Sequence, residues 1–319
     1  MATQSGQGTV FNLPNYTGRL FSVAPSDTPF LSAIGGLAGG GVQTLGVEFE
    51  WQTEDLESTS ANNAKLEGAN APSGSEVSRS NVTNVVEIHQ EAVEVSYTKQ
   101  ATPGMHSGIN VEEVNPVRDE LSHQIDLKLR KIGVDVQKSF LTGVYAKPVN
   151  NATARTTRGI YTAVTTNLFA NGGTNRALSK AIVDGALQGM FGNGSPLAQD
   201  NTVFHLGAAQ KVALSNVYSA APTLNQATQS RNIGGVAIDT LVTDFGTFGV
   251  MLDRWAPANK IGVLDLGVCR PRFLTIPGKG HLFVEPLAKT GSADKYQLYG
   301  EIGLEYGPEQ YHGVIADLS

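Results

Sequence analysis

The sequence predicts an α+β protein with long strands and one unusually long helix. Three features carry this prediction: alternating apolar and polar residues early in the chain, one long helical stripe in its middle, and a run of strand-like segments in its last third. The composition agrees, because 36 glycines in 319 residues are about 11% of the chain, against a usual share of about 7%.

Residues 1–42 are predicted to form an extended arm. Prolines such as Pro14, Pro25 and Pro29, followed by a cluster of glycines, interrupt every periodic run in this segment. Its hydrophobic residues are too few to form a core and too many for a solvated tail. We therefore expect the arm to dock on the body of this chain or of a neighbour.

Residues 43–98 are predicted to form a long, acidic, two-stranded ribbon. Val42–Trp51 and Val82–Tyr97 alternate like half-buried strands, and the polar stretch Glu54–Ser80 between them is expected to be a flexible tip. The segment holds ten acidic residues and two basic ones, a net charge of −8. Since an isolated ribbon is marginally stable in water, it requires a partner surface. The acidic residues either match a basic strip on another copy or only keep an exposed hairpin soluble.

The strongest helical signal lies between residues 115 and 142. Asn115 suits the N-cap, Pro116 the first turn and Gly143 the stop, which predicts a rod about 39 Å long. Apolar residues three or four positions apart lie on one stripe of this helix: Val114, Val117, Leu121, Ile125, Leu129, Ile132, Val136 and Phe140.

The remaining chain is predicted to be mixed and then β-rich. A short buried strand, Thr202–Leu206, is expected between helices Ala177–Phe191 and Ala208–Tyr218. Glycine and proline separate the later strands, which are Val236–Asp244, Phe248–Asp253, Ile261–Cys269, His281–Leu287 and Tyr296–Tyr306.

The residues give little support to an enzyme. Walker A, G-x-S-x-G, H-E-x-x-H, EF-hand and G-x-G-x-x-G patterns are absent from the sequence, and its six histidines never pair at metal-ligand spacing, so we expect no catalytic site, no metal and no cofactor. Cys269 is the only cysteine, which excludes an internal disulfide, and it is expected to be a small buried hydrophobe. An activity abolished by changing Cys269, His205 or Asp253 would revive the enzyme hypothesis.

Charge and hydropathy restrict the partners. A net charge of −6 and a pI near 5.5 disfavour a broad nucleic-acid-binding surface. Thr28–Val47 is uncharged but contains six glycines, which predicts a loop and strand and no membrane span. No basic residue precedes Arg19, so we expect synthesis in a cytoplasm without a secretory signal.

Three short segments carry a family resemblance: Asp27–Gly35 with its T-P-F, Phe49–Trp51 with its F-x-W, and Leu287–Gly291 with its L-A-K-T-G. With the order of elements along the chain, they resemble the major capsid proteins of tailed bacteriophages. The resemblance implies the tailed-phage major capsid fold, with an N-terminal arm (1–42), an extended β-ribbon loop (43–98), a peripheral domain (99–154) that holds the spine helix 115–142, an axial domain (155–265) and returning peripheral strands (266–319).

The same resemblance implies a function. The chain would assemble as hexamers and pentamers into an icosahedral shell around phage DNA, which it would meet only by weak, non-specific proximity. Its partners would be copies of itself, with portal, scaffold and decoration proteins as further candidates, and it would be made in the host bacterial cytoplasm and end in the virion. Expected inter-subunit contacts are Phe30, Trp51, Glu54, Asp55, Glu57, Lys65 and Glu67. Alternatives are an encapsulin-like bacterial nanocompartment shell and a glycine-rich β-structured tail or adhesion protein.

Overall fold

A computed structural model describes residues 22–37, 40–55, 59, 62–74, 76–101, 117, 119–219, 230–233 and 236–319. The described helices are α1 (Pro29–Ala33), α2 (Tyr97–Ala101), α3 (Glu120–Thr142), α4 (Ile160–Ala163), α5 (Lys180–Gly192) and α6 (Ala208–Ser219). The described strands are β1 (Val42–Thr44), β2 (Glu48–Glu54), β3 (Arg79–Val85), β4 (Glu87–Ser96), β5 (Leu168–Phe169), β6 (Thr202–Leu206), β7 (Ser230–Ile233), β8 (Val236–Thr243), β9 (Gly246–Leu252), β10 (Ile261–Asp265), β11 (Arg270–Leu274), β12 (Leu282–Pro286), β13 (Ala293–Glu305) and β14 (Gly313–Ile315).

The described residues divide into two compact units. The smaller unit comprises the described parts of 22–26, 90–132 and 283–299, and the larger unit those of 27–89, 133–282 and 300–319. The boundaries proposed from the sequence for arm, loop, peripheral and axial segments stay predictions.

The larger unit is built on a mixed sheet. In the described part of the chain seven strands form it, in the order β5–β14–β10–β6–β9–β8–β7. β6 pairs antiparallel with β10 on one side and parallel with β9 on the other, and it is buried along its whole length. Leu187 of α5 and Leu214 of α6 pack with Phe204 and Ile261 of the sheet in one apolar cluster. The predicted strand Thr202–Leu206 between two helices is thus confirmed.

A second sheet joins distant parts of the sequence. Its described strands run in the order β1–β11–β13–β12, and β4 also pairs with β13. β1 lies parallel to β11 with Val42 opposite Arg272, and β11 lies antiparallel to β13 with Arg270 opposite Glu305.

The two strands predicted for the ribbon are both interrupted, so that prediction needs correction. Val42–Trp51 divides into β1 and β2 around the exposed Leu45, where the Thr44 hydroxyl donates to the Gly46 carbonyl at 3.1 Å. Val82–Tyr97 divides into β3 and β4 at Val86, whose carbonyl accepts from Arg155 Nε at 2.7 Å. The ribbon is therefore only β2 and β3, and β4 leaves it for the second sheet.

The long helix is confirmed, but it starts later than the predicted residue 115. Helix α3 begins at Glu120, since Asp119 Oδ1 accepts from the Leu121 and Ser122 amides at 3.0 and 3.4 Å and so caps the first turn. The predicted cap, Asn115–Pro116, lies outside the described residues. The 23 residues of α3 span about 34 Å.

Cys269 lies where one predicted strand, Ile261–Cys269, ends early. β10 stops at Asp265, because its carboxylate accepts from the Gly267 amide at 2.9 Å and turns the chain into a short 3-10 helix. Cys269 is buried, as expected, and burial raises the pKa of its thiol, with the Asp265 and Glu305 carboxylates adding to the effect.

No helix in the described ranges is both long and apolar enough to cross a membrane. In the same ranges, no three side chains among His, Cys, Asp and Glu are grouped closely enough to hold a metal ion.

Candidate assembly surfaces

The ribbon presents two different faces along its length. β2 pairs antiparallel with β3 from Glu48 opposite Val85 to Glu54 opposite Arg79. Phe49 is buried, whereas Glu48, Glu50 and Glu54 are exposed on the alternate positions. The ribbon is therefore an element with one apolar and one acidic face.

Cross-strand contacts stiffen the acidic face. Arg79 Nε lies 3.3 Å from a Glu54 carboxylate oxygen, and Asn81 Nδ2 donates to Glu50 at 3.3 Å. On the opposite face, the hydroxyls of Thr53 and Ser80 are 2.9 Å apart. Each such exposed pair contributes only a few tenths of a kcal/mol, up to about 1 kcal/mol, so the face stays dependent on the ribbon's root.

Trp51 fixes the root of the ribbon to the rest of the larger unit. Its indole Nε1 donates to the Gly307 carbonyl at 3.0 Å, and its ring lies edge-on to Tyr306 with centroids 4.9 Å apart. The ring of Phe49 stacks near Trp51 at 6.1 Å. Aromatic pairs of this kind contribute about 0.5–1.5 kcal/mol beyond the area they bury.

Asn84 makes a second attachment at the root. Its side chain is fully buried, donates to the Leu304 carbonyl at 2.7 Å, and accepts from the Arg158 amide at 2.8 Å. A buried amide with both of its ends satisfied orders the strands around it, because losing either partner would leave a polar group without a hydrogen bond.

The ribbon tip, defined here as residues 55–78, differs from the root in its exposure to solvent. Every described residue in it is exposed, including the apolar Leu66 at 86% of its full accessibility. Asp55, Lys65 and Glu67, predicted to be contact residues, lie in this exposed segment. Glu57, predicted with them, lies outside the described residues.

The other two predicted contact residues lie elsewhere. Trp51 is half-buried at the ribbon root, and Phe30 is completely buried against its own chain, with its ring edge-on to His205 at 5.7 Å. The structure therefore groups Glu54, Asp55, Lys65 and Glu67 on the ribbon but separates Phe30 from them. Their inter-subunit role stays a prediction.

Many basic side chains of the larger unit already have acidic partners within the same chain. Such ion pairs include Lys147–Glu48, Arg155–Glu301, Lys180–Asp184, Lys211–Asp239, Arg254–Asp27 and Arg272–Glu305. These pairs limit how many basic residues remain to form a basic strip that would match the acidic ribbon of another copy, and that match stays a prediction.

A buried polar chain in the larger unit was not predicted as a group. The Tyr161 hydroxyl lies 2.8 Å from His205 Nδ1, and His205 Nε2 lies 2.8 Å from Asp253 Oδ2. Gln137 Nε2 donates to the same Asp253 oxygen at 2.6 Å. His205, Asp253 and Gln137 have no exposed surface, which leaves a substrate no access to them. Burial raises the pKa of Tyr161, and the Asp253 carboxylate adds to the effect.

Comparison with known proteins places the chain among capsid proteins. Residues 3–319 match the family model described as SU10 major capsid protein. The major capsid protein of Escherichia phage Phieco32 is 33% identical over 121 residues, which cover 38% of this chain and 30% of that relative. The chain thus spans less than a third of the length of this curated relative.

Solved structures share the fold over nearly the whole chain. The capsid asymmetric unit of cyanophage A-1(L) superposes with a TM-score of 0.66 at 13% identity, with 98% of both chains covered. The holo-SrpI encapsulin complex from Synechococcus elongatus PCC 7942 gives 0.59 at 11% identity, with 97% and 93% covered. The predicted α+β tailed-phage capsid fold is therefore confirmed.

Proposed function

The chain belongs to the SU10 major capsid protein family, and from this premise we propose that it is the repeating subunit of an icosahedral shell that encloses phage DNA. The resemblance of the chain to phage major capsid proteins is thereby confirmed. The subunit serves assembly, and its role is structural.

One observation carries the proposal: the ribbon is fixed at its root, and the described residues of its tip are exposed. Trp51 and Asn84 join the root to the larger unit, whereas the tip exposes every described residue, including Leu66. A long exposed element with an apolar side chain is stable when another surface covers it. In a closed shell, copies of the same chain supply that surface through repeated contacts.

The proposed partners follow from the shell. Hexamers and pentamers of the chain form the capsomers, and portal, scaffold and decoration proteins bind some of them. The net charge of −6 suits a shell whose inner surface releases packaged DNA, which it meets only by weak, non-specific proximity. The subunit is made in the host bacterial cytoplasm and ends in the virion.

The second candidate is a protein nanocompartment, favoured by the fold shared with the encapsulin complex. The two candidates differ in content, because a phage shell holds DNA and a nanocompartment holds protein. Nuclease-resistant nucleic acid inside purified particles would favour the phage shell, and co-purified protein cargo without nucleic acid would favour the nanocompartment.

The ribbon's role is tested by neutralising its tip. Glu67→Gln removes one exposed charge from the tip, and Asp200→Asn removes one exposed charge elsewhere as a matched control. We expect the tip variant to fold with an unchanged unfolding midpoint and to form fewer or less salt-resistant particles than the control. Equal particle yields at low and moderate salt would overturn the role of the acidic tip.

A further inference from the structure

The second part of the predicted arm is bound to the body of its own chain. We define residues 27–37 as the arm base; it contains helix α1, with Phe30, Leu31 and Ile34 buried. Its first residue is bound at the surface, where Arg254 Nε lies 3.2 Å from an Asp27 carboxylate oxygen and Trp255 Nε1 donates to the Asp27 carbonyl at 2.8 Å. At its other end, His281 Nε2 lies 2.9 Å from the Leu37 carbonyl oxygen.

The cap of helix α1 comes from another helix. Thr28 occupies the N-cap position but makes no side-chain capping hydrogen bond. The amide of Leu31, one of the helix's first N–H groups, instead donates to Gln137 Oε1 of α3 at 3.2 Å. Since these first amides have no partner within a helix, Gln137 satisfies a group that would otherwise be buried without one.

The orientation of the Gln137 amide is set by Asp253. A carboxylate accepts hydrogen bonds and donates none, so Gln137 must turn Nε2 toward Asp253, which leaves Oε1 for Leu31. Asp253 is itself fixed, because its other oxygen accepts from the Trp255 amide at 2.8 Å. His205, held in turn by Tyr161, completes the set of donors.

The chain turns at the end of the arm base through two glycines, which have no Cβ to oppose a positive φ angle. Gly35 and Gly36 have φ angles of 121° and 68°, in the region that favours glycine. Gly40 donates its amide to the Gly35 carbonyl at 3.1 Å, and a Cβ on Gly35 would meet the Gly40 backbone at 2.7 Å. This glycine turn separates the arm base from β1.

We propose that Gln137 and Asp253 form a latch for the arm base: Asp253 orients the Gln137 amide, and this amide holds Leu31, so that the arm base can detach as one segment while the sheet of the larger unit stays folded. The latch decides whether residues 27–37 stay bound to their own subunit. A buried polar group can select one packing arrangement of two elements over others. Here the Leu31–Gln137 hydrogen bond selects the position of helix α1 on α3.

Hydrogen exchange of the full-length protein tests the latch. Gln137→Met keeps the size of the side chain but removes both hydrogen bonds. Asn167→Leu is the matched control, since the Asn167 amide is also fully buried and donates to the Gln310 and His312 carbonyls at 2.8 and 3.0 Å, none of which belongs to the arm base. We expect exchange in the peptide 28–37 to rise about tenfold or more in Gln137→Met and to stay unchanged in the control, while β6 stays protected in both.

A second variant keeps the test decisive if Gln137→Met folds poorly. Asp253→Asn keeps the shape of the side chain but replaces one of the two oxygens that accept from Gln137 and the Trp255 amide with a donor, and it is expected to raise exchange in 28–37 by a smaller factor, with β6 unchanged. The latch is refuted if 28–37 exchanges at the wild-type rate in both variants. It is refuted equally if 28–37 and β6 accelerate by the same factor, because the arm base would then open only with the whole unit.

Discussion

The ring of Trp51 lies edge-on to that of Tyr306, with centroids 4.9 Å apart and planes at 88°. The contact joins the ribbon to a strand end 255 positions later in the sequence, and the hydrogen bond from Trp51 to Gly307 reinforces it. The half-buried Trp51 thus ties the ribbon to a distant part of the same subunit.

Replacing Trp51 is therefore expected to weaken the subunit as well as the ribbon. Trp51→Phe keeps the ring contact and loses the hydrogen bond, which should lower the free energy of unfolding by about 1 kcal/mol. Trp51→Ala loses both and should lower it by about 3 kcal/mol. Urea denaturation followed by fluorescence or circular dichroism measures both values. Leu66→Ala, at an exposed position, should change it by less than about 0.5 kcal/mol, and a similar small change for Trp51→Ala would contradict the root contact.

Glu309 gives the subunit a pH-dependent attachment. Burial alone would raise the pKa of Glu309, but hydrogen bonds from the hydroxyls and amides of Thr166 and Thr165 outweigh it and hold the pKa below its ordinary value. The stabilisation is present above the unfolded pKa of about 4.3 and is lost as the pH falls through the lower folded pKa.

We expect Glu309→Gln to lower the free energy of unfolding by roughly 1 kcal/mol at about pH 7, because the amide is a weaker acceptor than the carboxylate. The difference between variant and wild type should shrink as the solution is acidified below the folded pKa. Denaturant titrations at neutral and acidic pH measure it. A difference that stays constant or grows at acidic pH would show that the Thr165 and Thr166 donors do not act on an ionised Glu309.

Cys269 is expected to resist thiol reagents in the folded subunit. The thiolate is the reactive form, and burial raises the pKa of this thiol and closes access to it. Native protein at about pH 8 should show almost no reaction with a disulfide reagent, and guanidinium-unfolded protein should react fully. Rapid reaction of the native protein would mean that the segment from Asp265 to Arg270 opens readily.

The sequence predicted local elements well where the signal was local. Gly143 directly follows the last residue of α3, as predicted, and this position requires glycine because a Cβ there would meet the Ser139 and Thr157 carbonyl oxygens at 2.5 Å. The buried strand β6 was equally clear from its apolar run. Pattern alone sufficed at both places.

Elements that depend on distant partners were not predictable in this way. The expected long strand is interrupted at Val86, because the Val86 carbonyl accepts a hydrogen bond from Arg155. No residue near Val86 in the sequence indicates this contact. The Gln137–Asp253 contact joins residues 116 positions apart. Phe30 was predicted to contact a neighbouring subunit, because the site that buries it forms only in the folded chain. The exposure of the tip residues Asp55, Lys65 and Glu67 was easier to predict, since a polar stretch without large apolar residues indicates exposure directly.

The measurement that tests the central claim most directly is electron microscopy of the purified full-length protein after size-exclusion chromatography, at low and moderate salt, with and without co-expressed scaffold. Closed icosahedral particles, or rings of five and six subunits, are the expected result. A monomer, dimer or trimer under every condition, scaffold included, would contradict the shell function and favour a tail or adhesion protein.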